Sequence, residues 1–413
     1  MNDAAPQSEA ATGPRGAAFI FIFTTVVLDM LSLGMIIPVL PKLIENFLGG
    51  DTARAAEVFG LFSTAWALMQ FLCSPLLGAL SDSFGRRPVV LISNFGLGLD
   101  YVLMALAPNL WWLFVGRVIS GISSATVPTA FAYITDVTPP EQRAAKFGMI
   151  GAAFGLGFVL GPALGGVLGA MDPRLPFWVA AGLSLLNGCY GLFVLPESLP
   201  GEQRGAFDWK RANPVGALKL LRSHPELSGL ASAAFLIDLA HVVLPSIWVL
   251  YAGYRYGWDE RTIGLSLAIV GICSVIVQAG LVGPVVKAFG ERRAMVFGLT
   301  GGVAGFLVFG VAETATVFLI GIPLLALWGI ANPAINGLMT RHVGPSEQGQ
   351  LQGANNSIQG IANLVGPFIF TLTFSWAIGS GKDWHFPGAP FVLSALLLMA
   401  AAVLAWHVTR QRH

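Results

Sequence analysis

Long apolar stretches follow one another along this chain, separated by short polar breaks. A helix that crosses a bilayer needs roughly 20 mostly apolar residues. Reading with that window predicts helices near 17–38, 57–80, 88–107, 110–134, 144–170, 175–195, 228–252, 262–286, 292–311, 314–338, 348–378 and 388–408. Glycine and proline recur inside these runs, where they would weaken soluble helices. In a membrane they are tolerated and let helices approach closely.

The pattern is duplicated. Gly78-Ala-Leu-Ser-Asp82-Ser-Phe84-Gly85 returns as Gly283-Pro-Val-Val-Lys287-Ala-Phe289-Gly290, Gly161-Pro162 returns as Gly366-Pro367, and Gly148 as Gly353, each displaced by 205 residues. Three landmarks in one register point to an internal repeat. The expected architecture is an all-α membrane protein with twelve transmembrane helices in two pseudo-symmetric six-helix bundles that face each other, with a solute site between them near the midplane. The predicted divisions are an N-terminal tail (1–16), an N-terminal bundle (17–195), a polar, basic linker (196–227), a C-terminal bundle (228–408) and a C-terminal tail (409–413). The tail before residue 17 is rich in Ala, Pro, Ser and Gly and is expected to be disordered, and the run after it is too long for a signal-peptide core.

Composition agrees with this picture. Hydrophobic residues make up 55% of 413 positions and charged residues 11%, against about 25% charged in an ordinary soluble domain. The net charge of +1 offers no field to recruit nucleic acid. The odd count of three cysteines argues against a disulfide framework, and Cys73, Cys189 and Cys273 read as small buried apolar residues. Sixteen Lys and Arg fall in one set of loops and termini and six in the other, with Arg117 inside a span, which accounts for all 23. The positive-inside rule places the richer set, and both termini, in the cytoplasm.

Two motifs sit at defined places on this frame. Gly78-xxx-Asp82-xx-Gly85-Arg86-Arg87 forms a tight cytoplasmic loop. Its glycines permit the turn, and Asp82 is placed to face a helix N-terminus or a basic side chain across the bundle interface, as a gate that holds one access state. The plainer reading is a topology signal. Gly157-xxx-Gly161-Pro162-xx-Gly165-Gly166 gives the fifth span a smooth groove for close packing and a bend.

Ionisable groups within a bilayer cost roughly 2.5–3.5 kcal/mol each and are functional candidates by default. Here they are Asp29, Asp100, Arg117, Asp238 and His241. A carboxylate in a low-dielectric cavity exchanges protons nearer neutral pH, and histidine titrates there already. Asp29, Asp238 and His241 are therefore the candidates for proton coupling, or for meeting a cationic solute. Either Asp29 or Asp100 could instead be a fixed partner of Arg117, and His241 could be a satisfied interior histidine. Amides mark the expected cavity walls: Asn355, Gln359 and Asn363 share one face of the eleventh span, and Gln70, Gln278, Asn332 and Asn336 stand singly elsewhere. Interhelical glue is the ordinary alternative for the single ones.

The loop motif resembles the signature of the major facilitator superfamily, except at Ser83, where that signature is usually basic. The fifth-span motif resembles that of exporters exchanging drug for proton. Leu28-Asp29-Met-Leu-Ser-Leu-Gly-Met-Ile-Ile-Pro38, Ala67-Leu-Met-Gln70 and Leu99-Asp100-Tyr101, with a weaker match at Arg255-Tyr-Gly-Trp258, resemble the tetracycline-efflux family. The resemblance implies the major facilitator fold, proton-driven antiport from a bacterial inner membrane, and functional positions at Asp29, Gln70, Asp82 and Asp100. The second half departs from it. The family's histidine of the eighth span and acid of the ninth are missing from Gly271-Ile-Cys273-Ser-Val and Phe297-Gly-Leu-Thr-Gly-Gly-Val-Ala-Gly, and Asp238 and His241 are the candidates to replace them. The expected function is export of a small amphipathic solute in exchange for protons, by a chain working as a monomer without metal or cofactor. A proton-coupled importer of a sugar or organic acid, and a non-transporting receptor, are the alternatives. No phosphate-binding loop, metal motif or nucleophile elbow supports a pump or an enzyme.

Overall fold

A computed structural model of the chain describes residues 14–124, 126–205, 207, 213, 216–218, 220–221, 225–344 and 347–410. Outside these lie most of the expected N-terminal tail, parts of the linker, residues 411–413, and the basic residues Lys210, Arg211, Lys219, Arg222 and Arg412.

The first half contains α1 (Pro14–Ile36), α2 (Leu40–Phe47), α3 (Thr52–Phe84), α4 (Arg86–Leu106), α5 (Leu110–Ser123), α6 (Thr126–Val137), α7 (Pro140–Met171) and α8 (Leu175–Val194). The second contains α9 (Pro225–His241), α10 (Val243–Tyr256), α11 (Glu260–Ile276), α12 (Val282–Val311), α13 (Ala315–Ala326), α14 (Ala331–Thr340), α15 (Gln348–Ile378) and α16 (Ala389–Arg410). No strand occurs among the described residues. Asp51, Asn109, Asp259 and Thr314 cap the starts of α3, α5, α11 and α13 by accepting backbone N–H bonds.

Several expected spans are two helices in series, and proline supplies the reason. A proline withholds the N–H that would reach the carbonyl four residues earlier. Pro128, Pro245 and Pro333 stand four residues after Ser124, His241 and Gly329, where α5 gives way to α6, α9 to α10, and a 3₁₀ turn (Leu327–Ile330) leads into α14. Pro75, Pro162, Pro323 and Pro367 leave their helices continuous.

Among the described residues, eleven stretches are long and apolar enough to cross a bilayer. One of them, Glu260–Val311, runs 52 residues, or about 78 Å of helix at 1.5 Å per residue, far beyond a bilayer core of roughly 30 Å. Its backbone leaves the helical region at Gly290, with φ 75° and ψ 162°. Gly85, its counterpart in the repeat, has φ 107° and ψ 159° and separates α3 from α4. Such a left-handed, extended conformation suits glycine. Eleven such stretches stand against the expected twelve, and the break at Gly290 inside the longest one is the place where a further division would fall.

Large apolar side chains cover the outside, with Phe193 89% and Leu186 69% exposed, as a lipid solvent requires. The cysteines are less buried than expected. All three are free, Cys189 is exposed, and Cys73 and Cys273 are only half-buried.

The halves touch along two seams. On the α3–α15 seam the Ser375 hydroxyl donates to Glu57 at 2.8 Å, while Gly60 lies on Thr371 and Gly360 on Phe71. On the α7–α11 seam a methyl group added at Gly166 would stand 2.9 Å from the Gly264 α-carbon. These contacts run from the end remote from the Gly85 and Gly290 turns to about the middle of the spans. At the other end, open space surrounds Gly78, Gly148, Gly151, Gly280, Gly283 and Gly349. The molecule is shut at one end and open at the other, where both motif turns lie.

Candidate functional site

At the open end, Arg86 is the hub of the first motif. Its guanidinium donates to Asp82 at 2.5 Å, Ser81 at 2.6 Å and Asp136 at 3.1 Å. The Glu197 carboxylate accepts the Arg86 and Arg87 backbone N–H groups at 2.8 and 3.3 Å, satisfying donors left free at the start of α4. Arg87 donates to the Leu192 carbonyl at 2.7 Å. Asp82 was expected to face across the bundle interface. Here it is exposed and paired with Arg86 of its own half.

The fifth-span motif packs on two neighbours at once. Gly157, Gly161 and Gly165 of α7 lie against Met30, Gly34 and Met35 of α1, and a methyl group at Gly161 would stand 2.7 Å from the Gly34 α-carbon. Gly166 and the Pro162 carbonyl meet Gly264 of α11. The motif therefore joins α1 to the seam with the second half.

Between the two ends lie the buried charges. Asp29, Asp100 and Arg117 are 6%, 1% and 8% exposed. Tyr101 lies within electrostatic reach of all three. Arg117 and Ser120 are neighbours of the Asp100 carboxyl, which lies within electrostatic reach of the guanidinium. The two form no ion pair within 4 Å among those present. The Arg117 guanidinium carbon instead lies 5.3 Å from the centre of the Trp66 ring, within cation–π range. Gln70 of α3 is half-buried, one turn beyond Trp66.

In the second half, Asp238 is half-buried on α9 with no charged neighbour acting on it. His241, where α9 ends, is solvent-exposed. Its ring centre lies 5.3 Å from that of Trp328. Gln278 is exposed in a π-helical turn (Val277–Leu281) and faces Gly329 of the 3₁₀ turn. Irregular backbone of this kind survives in a membrane only where protein or a cavity surrounds it. Asn332 and Gln359 are exposed and Asn363 half-buried. Asn355 donates to Asn336 at 2.9 Å, so that pair also ties α14 to α15.

The structure thus gathers Asp29, Asp100 and Arg117 in one half and sets Asp238 and His241 together in the other. Sequence reasoning overlooked Asp136, Glu197, Glu57, Trp66 and Trp328. The acids stand near span ends, where charge is ordinary, and a tryptophan inside an apolar run carries no signal of its own.

Comparison with known proteins agrees with this geometry. The family model described as Major Facilitator Superfamily matches residues 22–367 and 230–413. The chain is 38% identical over 382 residues to the tetracycline resistance protein, class C, of Escherichia coli, covering 92% of this chain and 94% of that one. It is 36% identical to the class G protein of Vibrio anguillarum over 373 residues, 90% and 93% of the two chains. In fold it is similar to the crystal structure of a bacterial homologue of the human lysosomal transporter Spinster in an inward-facing, unoccupied conformation (TM-score 0.78, 16% identity, 97% and 98% covered). The chain belongs to the Major Facilitator Superfamily and is a membrane transporter of the tetracycline-efflux type rather than an enzyme.

Proposed function

We propose that this transporter exports a small amphipathic solute in exchange for protons, by alternating access. The observation that carries this reading is the placement of ionisable groups in both halves, Asp29 and Asp100 in one and Asp238 and His241 in the other, between seams shut at one end and open at the other. The distribution of Lys and Arg assigns the open, motif-bearing end and both termini to the cytoplasm, and the bacterial relatives point to an inner membrane.

Solute enters from the open mouth and meets the amides of Gln70, Gln278, Asn332, Asn336, Asn355, Gln359 and Asn363, with Asp100 beside Arg117. Asp29, Asp238 and His241 carry the coupling protons. A carboxylate that is costly to bury charged is neutralised either by a proton or by a polar or cationic solute. Each loading favours closure, and the empty, charged cavity resists it. The mouth closes around the motif loop, Gly78, Asp82, Gly85, Arg86 and Arg87, while α7 with Gly157, Gly161, Pro162, Gly165 and Gly166 keeps α1 and α11 in register. One chain contains every part of this cycle and works as a monomer.

Proteoliposomes with an imposed pH gradient test it, with tetracycline, a planar organic cation, a hexose and a hexonate as probes. The expected result is gradient-driven accumulation of the amphipathic probes alone. Gradient-driven movement of the hexose or hexonate, with the amphipathic probes unmoved, would establish the importer instead.

A further inference from the structure

The seams run in a fixed antiparallel register. Ala53 lies near Gly379, Glu57 bonds Ser375, Gly60 meets Thr371 and Phe71 meets Gly360, so each step forward on α3 is one step back on α15. Carried toward the open end, this register sets Gly78 opposite Gly353 and Asp82 opposite the first turn of α15. On the other seam Gly166 meets Gly264, Val159 meets Gly271 and Gly155 meets Val275. The π turn at Val277–Leu281 inserts one residue. Beyond it Gly151 falls opposite Gly280, Gly148 opposite Gly283, and Lys287 within one turn of Glu141.

The repeat adds a second observation. At the 205-residue displacement, Asp82, Arg86 and Asp136 correspond to Lys287, Glu291 and Arg341. Arg86 pairs with Asp136 at 3.1 Å, and Glu291 pairs with Arg341 at 2.9 Å. The same contact is built twice with every charge reversed. Arg87 and Arg292 keep their sign, and both donate to a carbonyl near the end of the last helix of their half, Leu192 at 2.7 Å and Trp406 at 3.3 Å. The loop is thus reproduced, and polarity changes only in the triad.

The approaching helix ends are matched to these polarities. A helix N-terminus is positive. The first turn of α15, which Asp82 approaches, holds no acid, and the capping Glu347 is turned back on the Gly344 N–H at 3.1 Å. The first turn of α7, which Lys287 approaches, carries the exposed Glu141. The nearby cations of α7 are engaged elsewhere: Arg143 donates to the Thr138 and Thr135 carbonyls at 3.1 and 3.0 Å, and Lys146 lies 3.7 Å over the Phe19 ring.

We propose that Lys287 and Glu141 form an ion pair between the halves when the motif-bearing end closes, as a second latch of opposite polarity to the one around Asp82. The proposal rests on the alternating-access reading.

The test replaces Cys73, Cys189 and Cys273 by serine and places spin labels at Ser83 and Gln352, on the other seam. Their distance reports mouth closure in Lys287→Glu, Glu141→Lys and the double exchange, beside transport of tetracycline. Each single variant should lower the closed-to-open ratio about two- to five-fold, the range of an exposed ion pair, and the double exchange should restore both ratio and transport. Rescue separates a charge contact from a folding defect. A double variant no better than the singles, or singles with an unchanged ratio, overturns the latch. If the unmutated protein never shortens the label distance at any pH or solute concentration, the alternating-access reading itself fails.

Discussion

At the scale of single residues, the two halves handle charge differently. Asp100 lies near the Arg117 guanidinium, which itself stands over the Trp66 ring, whereas no charged group acts on the half-buried Asp238. Both were legible in the sequence because an ionisable residue in an apolar run is rare and costly. Their neighbours were not, since Trp66 and Trp328 become informative only when helices distant in sequence bring rings to Arg117 and His241. The open-end hub is a second case. Arg86 is mostly buried and holds the mostly buried Asp136 as well as the exposed Asp82, and removing it leaves the Asp136 charge uncompensated. Arg86→Gln should cost about 3 kcal/mol, seen as a lower melting temperature in detergent. A melting temperature equal to that of the unmutated protein would show that the pairs around Arg86 contribute little.

At the scale of elements, hydropathy located the crossings but not their interruptions. Expected single helices at 110–134, 228–252 and 314–338 are each broken where a proline withholds a hydrogen bond, yet four other prolines break nothing. Residue type alone therefore does not decide; the surrounding packing does. Gly264 shows how tight that packing is. Gly264→Val pushes two β-methyls into the Pro162 carbonyl and the Gly166 backbone, so the shut end should lose its seam and transport should fall at least tenfold (a barrier change of about 1.4 kcal/mol). Labels across α7 and α11 should report wider separation, and an unchanged distance would contradict the assignment of this seam. The cap at Asp259 makes a pH-dependent case. Its carboxylate accepts the Thr262 N–H at 2.9 Å, and hydrogen bonding from the Thr262 side chain, joined by that N–H, holds its pKa below the ordinary 3.8. The folded protein prefers the charged form, so the contribution is complete above the ordinary value and fades as acid protonates the carboxyl. Asp259→Ala should cost about 1 kcal/mol near neutral pH, and that penalty should shrink below roughly pH 4. A penalty constant across that range would mean the cap is not the cause.

At the scale of the whole molecule, duplication explains both what was readable and what was not. The 205-residue displacement marked Gly85 and Gly290 as equivalents, and both adopt the same left-handed, extended turn. It could not reveal which end of the halves was open, because that depends on contacts between them. An open mouth lined with unpacked glycines and a shut end lined with packed ones are two positions of one seam. On the proposed cycle, protons on the interior acids set which position is preferred. The most direct measurement is solute-elicited proton flux, read with a pH dye inside proteoliposomes, for the unmutated protein and for Asp29→Asn and Asp238→Asn. The account predicts that tetracycline drives proton movement in the unmutated protein and that each substitution abolishes it while leaving solute binding within about tenfold. Proton flux undiminished in both variants would contradict it.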